Sequence, residues 1–348
     1  MKRRSFLKTS STFALALGAP AIIHAQSKQF EGITLNINGY GGDFSRILTE
    51  YVSKPLEEKT GLKVSYQDGT ASAAVAKLLA SRNNPPFDII MADSPNIPEL
   101  MRSDIIEPIT NAEIPNSSKL LPGVREFGDF GMPFLTNAVV LTYNSKHVKQ
   151  PVTSYADLAR ADLKGRVGWM SPSHTAGLLA LIALGEANGG TLDNMEPAFK
   201  ALAAMKDNIS MVSDSTVSMV QLFEQEEVWA GAFWDGRVYS MRNKGFPMES
   251  VLPKEGAYGL FNYLAPVKGT RKKDAVLAYI NQALSDEAAN ALVEFFRYAP
   301  CTNLELAPEV AKDVVVYGKD RSMLKPIDWD KVSQIRGQLL EQFNKAVR

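Results

Sequence analysis

The sequence predicts an α/β protein of two lobes, each a mostly parallel sheet flanked by helices. Three observations carry that expectation. Short apolar runs of strand length alternate with longer segments of helical period, and the alternation occurs twice, on either side of a Pro/Asn/Ser-rich pause at 107–122. The length of 348 residues exceeds what a single hydrophobic core usually fills. The composition, 45% hydrophobic and 22% charged, belongs to a folded globular chain rather than a disordered one.

The elements follow in order. Residues 33–37 read as a strand, and 44–59 as a helix with apolar or aromatic residues at 44, 47, 48, 51, 52 and 56 along one stripe and Asp43 as N-cap. Residues 62–66 alternate as a strand; 71–82 are helical and stop before Asn83-Asn84-Pro85-Pro86. Residues 87–92 form a buried strand, with a helix at 95–101 behind it. After the pause come a strand at 138–143, a strand at 166–170, and a helix at 175–187 closed by Gly189-Gly190. Then follow a helix at 192–205, a strand at 209–212, a helix at 216–225, a strand at 228–233 and a short helix from Asp235. Strands near 250–252 and 258–266 precede helices at 272–284, 286–298 and 332–347.

The first 25 residues differ from the rest. Lys2, Arg3, Arg4 and Lys8 meet no acid, an apolar small-residue stretch covers 13–23, and Ala25 offers a cleavage point. A basic start, a short apolar centre and a small-residue end predict an export signal at 1–25, too short to span a bilayer. Arg3-Arg4-Ser5-Phe6-Leu7-Lys8 resembles the twin-arginine motif, which predicts export by the twin-arginine translocase into the periplasm. The whole chain balances 38 basic against 38 acidic residues; without 1–25 the balance is 34 − 38 = −4. Neither figure describes a basic nucleic-acid binder.

Catalytic motifs are scarce. Cys301 is the only cysteine, so no intrachain disulfide and no CxxC or Cys/His zinc cluster exists. No GxSxG, GxGxxG or GxxxxGK[ST] segment occurs, and outside the signal the histidines are His147 and His174. No cofactor is implied. In open α/β sheets ligands bind beyond the carboxyl ends of strands, and there the chain places polar, aromatic and glycine residues. Asn38-Gly39-Tyr40-Gly41-Gly42-Asp43 follows the first strand and opens a helix, where glycine lets backbone N–H groups approach an anion. Asp93-Ser94-Pro95 follows the third strand, with capping as the competing role. Ser171-Pro172-Ser173-His174-Thr175 carries more hydroxyls than one cap needs. Phe233-Trp234-Asp235-Gly236-Arg237 sets an aromatic beside a carboxylate, suited to a cationic or amphipathic solute, although a core tryptophan with a capping aspartate fits as well. Asn262 interrupts an apolar strand. The ligand-binding candidates are therefore Tyr40, Gly42, Asp43, Asp93, Ser94, Ser173, His174, Thr175, Trp234, Asp235 and Asn262.

The stretch from Gly32 to the C-terminus resembles the periplasmic solute-binding proteins of ABC importers, in their spermidine/putrescine branch. The matching segments are Leu56-Glu57-Glu58-Lys59-Thr60-Gly61-Leu62-Lys63-Val64, Phe87-Asp88-Ile89-Ile90, Tyr143-Asn144, Ser154-Tyr155-Ala156-Asp157-Leu158 and Leu163-Lys164-Gly165. Trp234-Asp235-Gly236, Leu252-Pro253-Lys254-Glu255-Gly256 and Ala278-Tyr279-Ile280-Asn281 complete the series. The resemblance implies the two-lobed periplasmic-binding-protein fold, with 30–136 and 263–300 in one lobe and 137–262 and 301–348 in the other. It also implies crossing strands at 138–143 and 258–266, hinge closure on a solute, and delivery to ABC permease transmembrane subunits by a monomer. Ser94 and Trp234 match family contacts in kind. Polyamine binders carry a tryptophan and an acid where this chain has Gly41-Gly42, acids where it has Ser171, Ser173 and His174, and an aspartate where it has Asn262. Asp43, Asp93 and Asp235 remain to hold an amine, and Arg46, Arg237, His174 and two helix starts to hold a carboxylate or phosphonate. The expectation is a transport protein, not an enzyme, that captures a small polyamine-like, amine- or carboxylate-bearing solute; the alternatives are a Tat-exported enzyme and a metal-binding protein.

Overall fold

The computed structural model describes residues 28–317 and 324–347; the expected export segment at 1–25 lies outside them. Strand β1 (Thr34–Gly39) runs into α1 (Gly42–Leu48), which passes through a π-helical turn at Thr49–Ser53 into α2 (Lys54–Thr60). The apolar stripe predicted for one helix thus lies on one rod with a local bulge, ended by Gly61 in the left-handed conformation, φ 78°. Next come β2 (Lys63–Asp68), α3 (Ala71–Ala80), β3 (Ile89–Asp93) and α4 (Ile97–Arg102). Thr70 caps α3 by accepting the Ala73 N–H.

The chain then enters β4 (Met132–Asn144), thirteen residues all buried. It begins six residues before the predicted start because Thr136 and Asn137 are polar side chains in a buried strand and mask its apolar run. Beyond it lie β5 (Val167–Met170), α5 (Thr175–Ala187), α6 (Glu196–Ala204), β6 (Ile209–Ser213) and α7 (Thr216–Glu224). Helix α6 starts late because Thr191 and Asn194 bond each other's backbone in a turn. The chain continues through β7 (Ala230–Trp234), α8 (Asp235–Asn243), β8 (Met248–Val251), β9 (Tyr258–Pro266), α9 (Lys273–Ala283) and α10 (Asp286–Phe296). It ends with β10 (Ala299–Pro300), α11 (Pro308–Ala311) and α12 (Trp329–Ala346).

The sheet runs β2-β1-β3-β9-β4-β7-β5-β6. Pairing is parallel within β2-β1-β3 and within β7-β5-β6, and antiparallel where β9 and β4 join the two trios. The sheet is therefore mixed, its parallel parts being the α/β units read from the sequence and its antiparallel centre the crossing strands. The apolar cores divide the same way. One gathers residues of 139–260 with Trp329, Val332, Leu339 and Phe343 of α12. The opposite half is held by a core drawn from 30–135 and 264–298, and by another from 74–106 and 263–267 on its second face. Burial of this kind supplies about 25 cal/mol per Å² of apolar surface, so each half carries its own driving force.

Candidate functional site

A cleft of about 410 Å³ opens at the carboxyl ends of the parallel strands, walled by both halves. The first half brings Tyr40 and Gly41 after β1, the Asp68-Gly69-Thr70 loop with the start of α3, and Asp93 at the end of β3. The second half brings His174 and Thr175 at the start of α5, the 214–217 loop at the start of α7, and Trp234 and Arg237 around the β7–α8 junction. Asn137 of β4, Asn262 of β9 and Tyr298 form the floor between them. The N-termini of α3, α5, α7 and α8 all border the cleft, so their dipoles favour negative charge in it. Close packing at one of these ends depends on Gly177, where a Cβ would lie 2.1 Å from the Met170 carbonyl oxygen.

Asp93 is buried and accepts three side-chain hydrogen bonds. Tyr40 Oη donates to Oδ1 at 2.8 Å, Asn262 Nδ2 to Oδ1 at 2.6 Å, and Thr175 Oγ1 to Oδ2 at 2.5 Å. Burial pushes its carboxyl above the ordinary value, although those donors and the Arg336 charge pull the other way. His174 caps α5: its Nδ1 accepts the Ala176 N–H at 3.1 Å, so Nε2 carries the proton toward Thr216 Oγ1 at 2.9 Å. Burial, then the charges of Arg336 and Arg237, lower its pKa to about 3, which makes it a neutral imidazole at physiological pH.

Arg237 is 7% exposed and its guanidinium lies 4.7 Å from the Phe296 ring centre. Among the described residues it forms no ion pair, and its Nε has no hydrogen-bond partner. The Oδ1 atoms of Asn137 and Asn262, residues 6% and 2% exposed, are likewise unpartnered. The Asn262 orientation follows from its Nδ2 bond to Asp93. A buried polar atom without a partner ordinarily costs about 1–3 kcal/mol, so these three leave hydrogen-bonding capacity unused in residues that line one cleft.

The cleft thus gathers Tyr40, Asp93, His174, Thr175, Trp234 and Asn262 of the sequence candidates. The others are placed differently. Gly42 faces Val217 of the opposite half, and Asp43 binds Arg46 and Lys244 at the rim. Ser94 points behind the crossing strands, where its hydroxyl donates to Glu126 Oε2 at 2.8 Å and accepts the Phe261 N–H. Ser173 gives its carbonyl oxygen to Ser72 Oγ and Arg336 Nη2, at 2.9 and 2.8 Å. Asp235 turns away to accept the Ala138 N–H at 3.3 Å, and burial lifts its pKa to about 7.

Sequence reading missed Asp68 and Thr70, Asp214 to Val217, and Asn137. The first two groups follow strands and open helices, so the strand-end rule reaches them; Asn137 breaks an apolar strand as Asn262 does. Arg336 had no signal, since its helix is remote in sequence from every loop it touches. Among the described residues no group of three or more His, Cys, Asp or Glu side chains is placed to hold a metal.

Two α/β halves that share one polar cleft and are joined by two crossing strands define a solute-binding protein of the periplasmic type. The chain belongs to the bacterial extracellular solute-binding protein family, whose sequence model matches residues 52–316. It is similar to the spermidine/putrescine-binding periplasmic protein of Escherichia coli K12, 25% identical over 358 aligned positions that cover 98% of this chain and 99% of the relative. Its fold is similar to that of an ABC transporter protein from Clostridium perfringens, with TM-score 0.70, 23% identity, and 90% and 100% of the two chains covered. The same holds for the binding protein MotA of A. tumefaciens B6 in complex with glucopine, at TM-score 0.78, 17% identity, and 91% and 100% coverage. The chain is thus an extracellular solute-binding protein by family, and the relatives it matches along its length are periplasmic binding proteins. No helix among the described residues is long and apolar enough to cross a membrane.

Proposed function

We propose that the lobes 30–136 with 263–300 and 137–262 with 301–348 close on a small amine- or carboxylate-bearing solute, and that the closed form delivers it to the permease subunits. The observation that carries this reading is contact across the cleft. Ser72 Oγ donates to the Ser173 carbonyl, Thr175 Oγ1 to Asp93, and Arg336 Nη2 to both Ser72 Oγ and the Ser173 carbonyl. Polar groups of both halves therefore meet across one cleft, as closure of two lobes on a solute requires. Capture proceeds as a monomer and without turnover: where His174 meets Thr216 in the cleft, Nε2 carries the proton and Nδ1 is occupied by the Ala176 N–H, so the imidazole is no free base for that hydroxyl. Export through the twin-arginine translocase completes the proposal. Native mass spectrometry of the purified mature protein, with titration calorimetry and small-angle scattering, tests capture. A solute retained and released on denaturation, with compaction on rebinding, is the expected result; a protein that holds no solute and never compacts refutes it. Changing Arg3-Arg4 to Lys-Lys tests the route, with loss of periplasmic protein expected.

A further inference from the structure

We infer that the captured solute is a zwitterion whose oxyanion is anchored by Arg237 and whose amine faces Asn262 and Asp93. This rests on the solute-capture reading and names the ligand class it leaves open. The buried charges that line the cleft are Arg237 and Asp93, with Arg336 outside the lining but acting on Asp93, and with His174 held neutral. Asp93 is engaged by Tyr40, Asn262 and Thr175 and lies within the field of Arg336, so its charge has protein partners. Arg237 has no carboxylate partner among the described residues, and its Nε points to no protein acceptor. A planar guanidinium with an unused N–H matches a carboxylate or phosphonate, and the surrounding helix N-termini favour the same charge. The second pole is set by acceptors. Asn262 bonds Asp93 through Nδ2 and leaves Oδ1 unpartnered, and Asn137 Oδ1 is unpartnered beside it in the cleft floor. Carbonyl oxygens with a carboxylate one bond behind them suit an ammonium N–H. Asp68 and Asp214 also border the cleft but are exposed, where water screens them. A linear polyamine lacks any group for Arg237 and brings further positive charge against it.

Calorimetry of the stripped mature protein with γ-aminobutyrate, 2-aminoethylphosphonate, butyrate, putrescine and spermidine tests the assignment. At least one zwitterion is expected to bind about 100-fold or more tighter than butyrate, putrescine or spermidine (about 2.7 kcal/mol), and the first two probes distinguish carboxylate from phosphonate. Arg237→Gln is expected to weaken that binding at least 100-fold while circular dichroism stays unchanged. Arg237→Lys, which keeps the charge but loses the fork, is expected to weaken it about tenfold and serves if the glutamine variant does not fold. A polyamine that binds tighter than both zwitterions, a released native solute without an oxyanion, or Arg237→Gln within threefold of the parent overturns this assignment and leaves solute capture standing. A protein that binds none of the five and releases nothing on denaturation overturns both.

Discussion

Thr175, the first residue of α5, donates its hydroxyl to Asp93 at the end of β3, Oγ1 to Oδ2 2.5 Å, and so bonds one half of the molecule to the other through the cleft. The other oxygen of Asp93 is held by Tyr40 and Asn262, the latter in crossing strand β9. The aspartate is thereby a junction between the loop after β1, the crossing strand β9 and α5. Thr175→Val keeps the shape and removes the donor. A hydrogen bond to a charged group is worth about 1.5–3 kcal/mol, so solute affinity is expected to fall about 10- to 100-fold. The thermal midpoint without solute should move far less, because the bond serves closure rather than either core. Calorimetry with small-angle scattering checks this; unchanged affinity would remove Thr175 from the closing contact.

His174 makes stability depend on pH in a stated direction. Its folded pKa of about 3 lies below the ordinary 6.5, with burial the largest cause. Above pH 6.5 the imidazole is neutral folded or unfolded and costs nothing. Below that value only the unfolded chain takes the proton, so stability falls by at most about 1.4 kcal/mol per pH unit as pH drops toward 3. His174→Asn keeps a good helix cap and removes the titration. The expected result from urea denaturation is a variant slightly less stable than the parent at pH 7.5 and level with it, or better, at pH 5. Parallel stability–pH curves would count against a neutral buried imidazole.

The limits of legibility in the sequence follow from particular residues. Helix α5 has the predicted limits because its apolar run is fenced by Ser171-Pro172 on one side and Gly189-Gly190 on the other, and β9 likewise at 258–266. What a strand end does not reveal is which side its last residues face. Asp93 and Trp234 are the last residues of β3 and β7 and border the cleft, whereas Ser94 and Asp235 open the helical turns that follow and point back, to Glu126 and Ala138. Each pair looks equally functional as sequence. Arg336 was beyond reach for another reason: its helix packs on the core of residues 139–260 and reaches Ser72 and Ser173 only through tertiary structure.

Gly177 provides a test of how the α5 end is placed. A methyl there would meet the Met170 carbonyl oxygen at 2.1 Å and that of Ser171 at 2.4 Å, both rigid backbone atoms. Gly177→Ala must push the first turn of α5 off β5, carrying His174 and Thr175 with it. The strain is expected to cost about 1–3 kcal/mol, against up to about 1 kcal/mol returned by alanine's helix propensity. Affinity should fall about tenfold as Thr175 leaves Asp93. Urea titration and calorimetry read the two effects, and a variant at least as stable as the parent with full affinity would contradict the close packing.

Asp235 predicts the opposite pH slope from His174. Its carboxyl is buried at the first position of α8, Oδ1 accepts the Ala138 N–H at 3.3 Å, and Oδ2 has no partner among the described residues. Desolvation raises its pKa from 3.8 to about 7 against the pull of backbone donors. A raised folded value means the protonated form suits the fold. Its contribution is therefore fully present below pH 3.8 and is lost as pH rises through about 7, at no more than about 1.4 kcal/mol per pH unit. Asp235→Asn keeps an oxygen for Ala138 and never ionises. Relative to the parent it should be near neutral at pH 4.5 and more stable at pH 8, by on the order of 1–3 kcal/mol, with the gap level above about pH 8. Denaturant titrations at pH 4.5, 6 and 8 in the His174→Asn background isolate this slope, since the two groups oppose each other between pH 4 and 6.5. An asparagine variant destabilised most at pH 8 would mean that the carboxylate is ionised and stabilising, and that Asp235 anchors β4 by charge instead of tolerating burial.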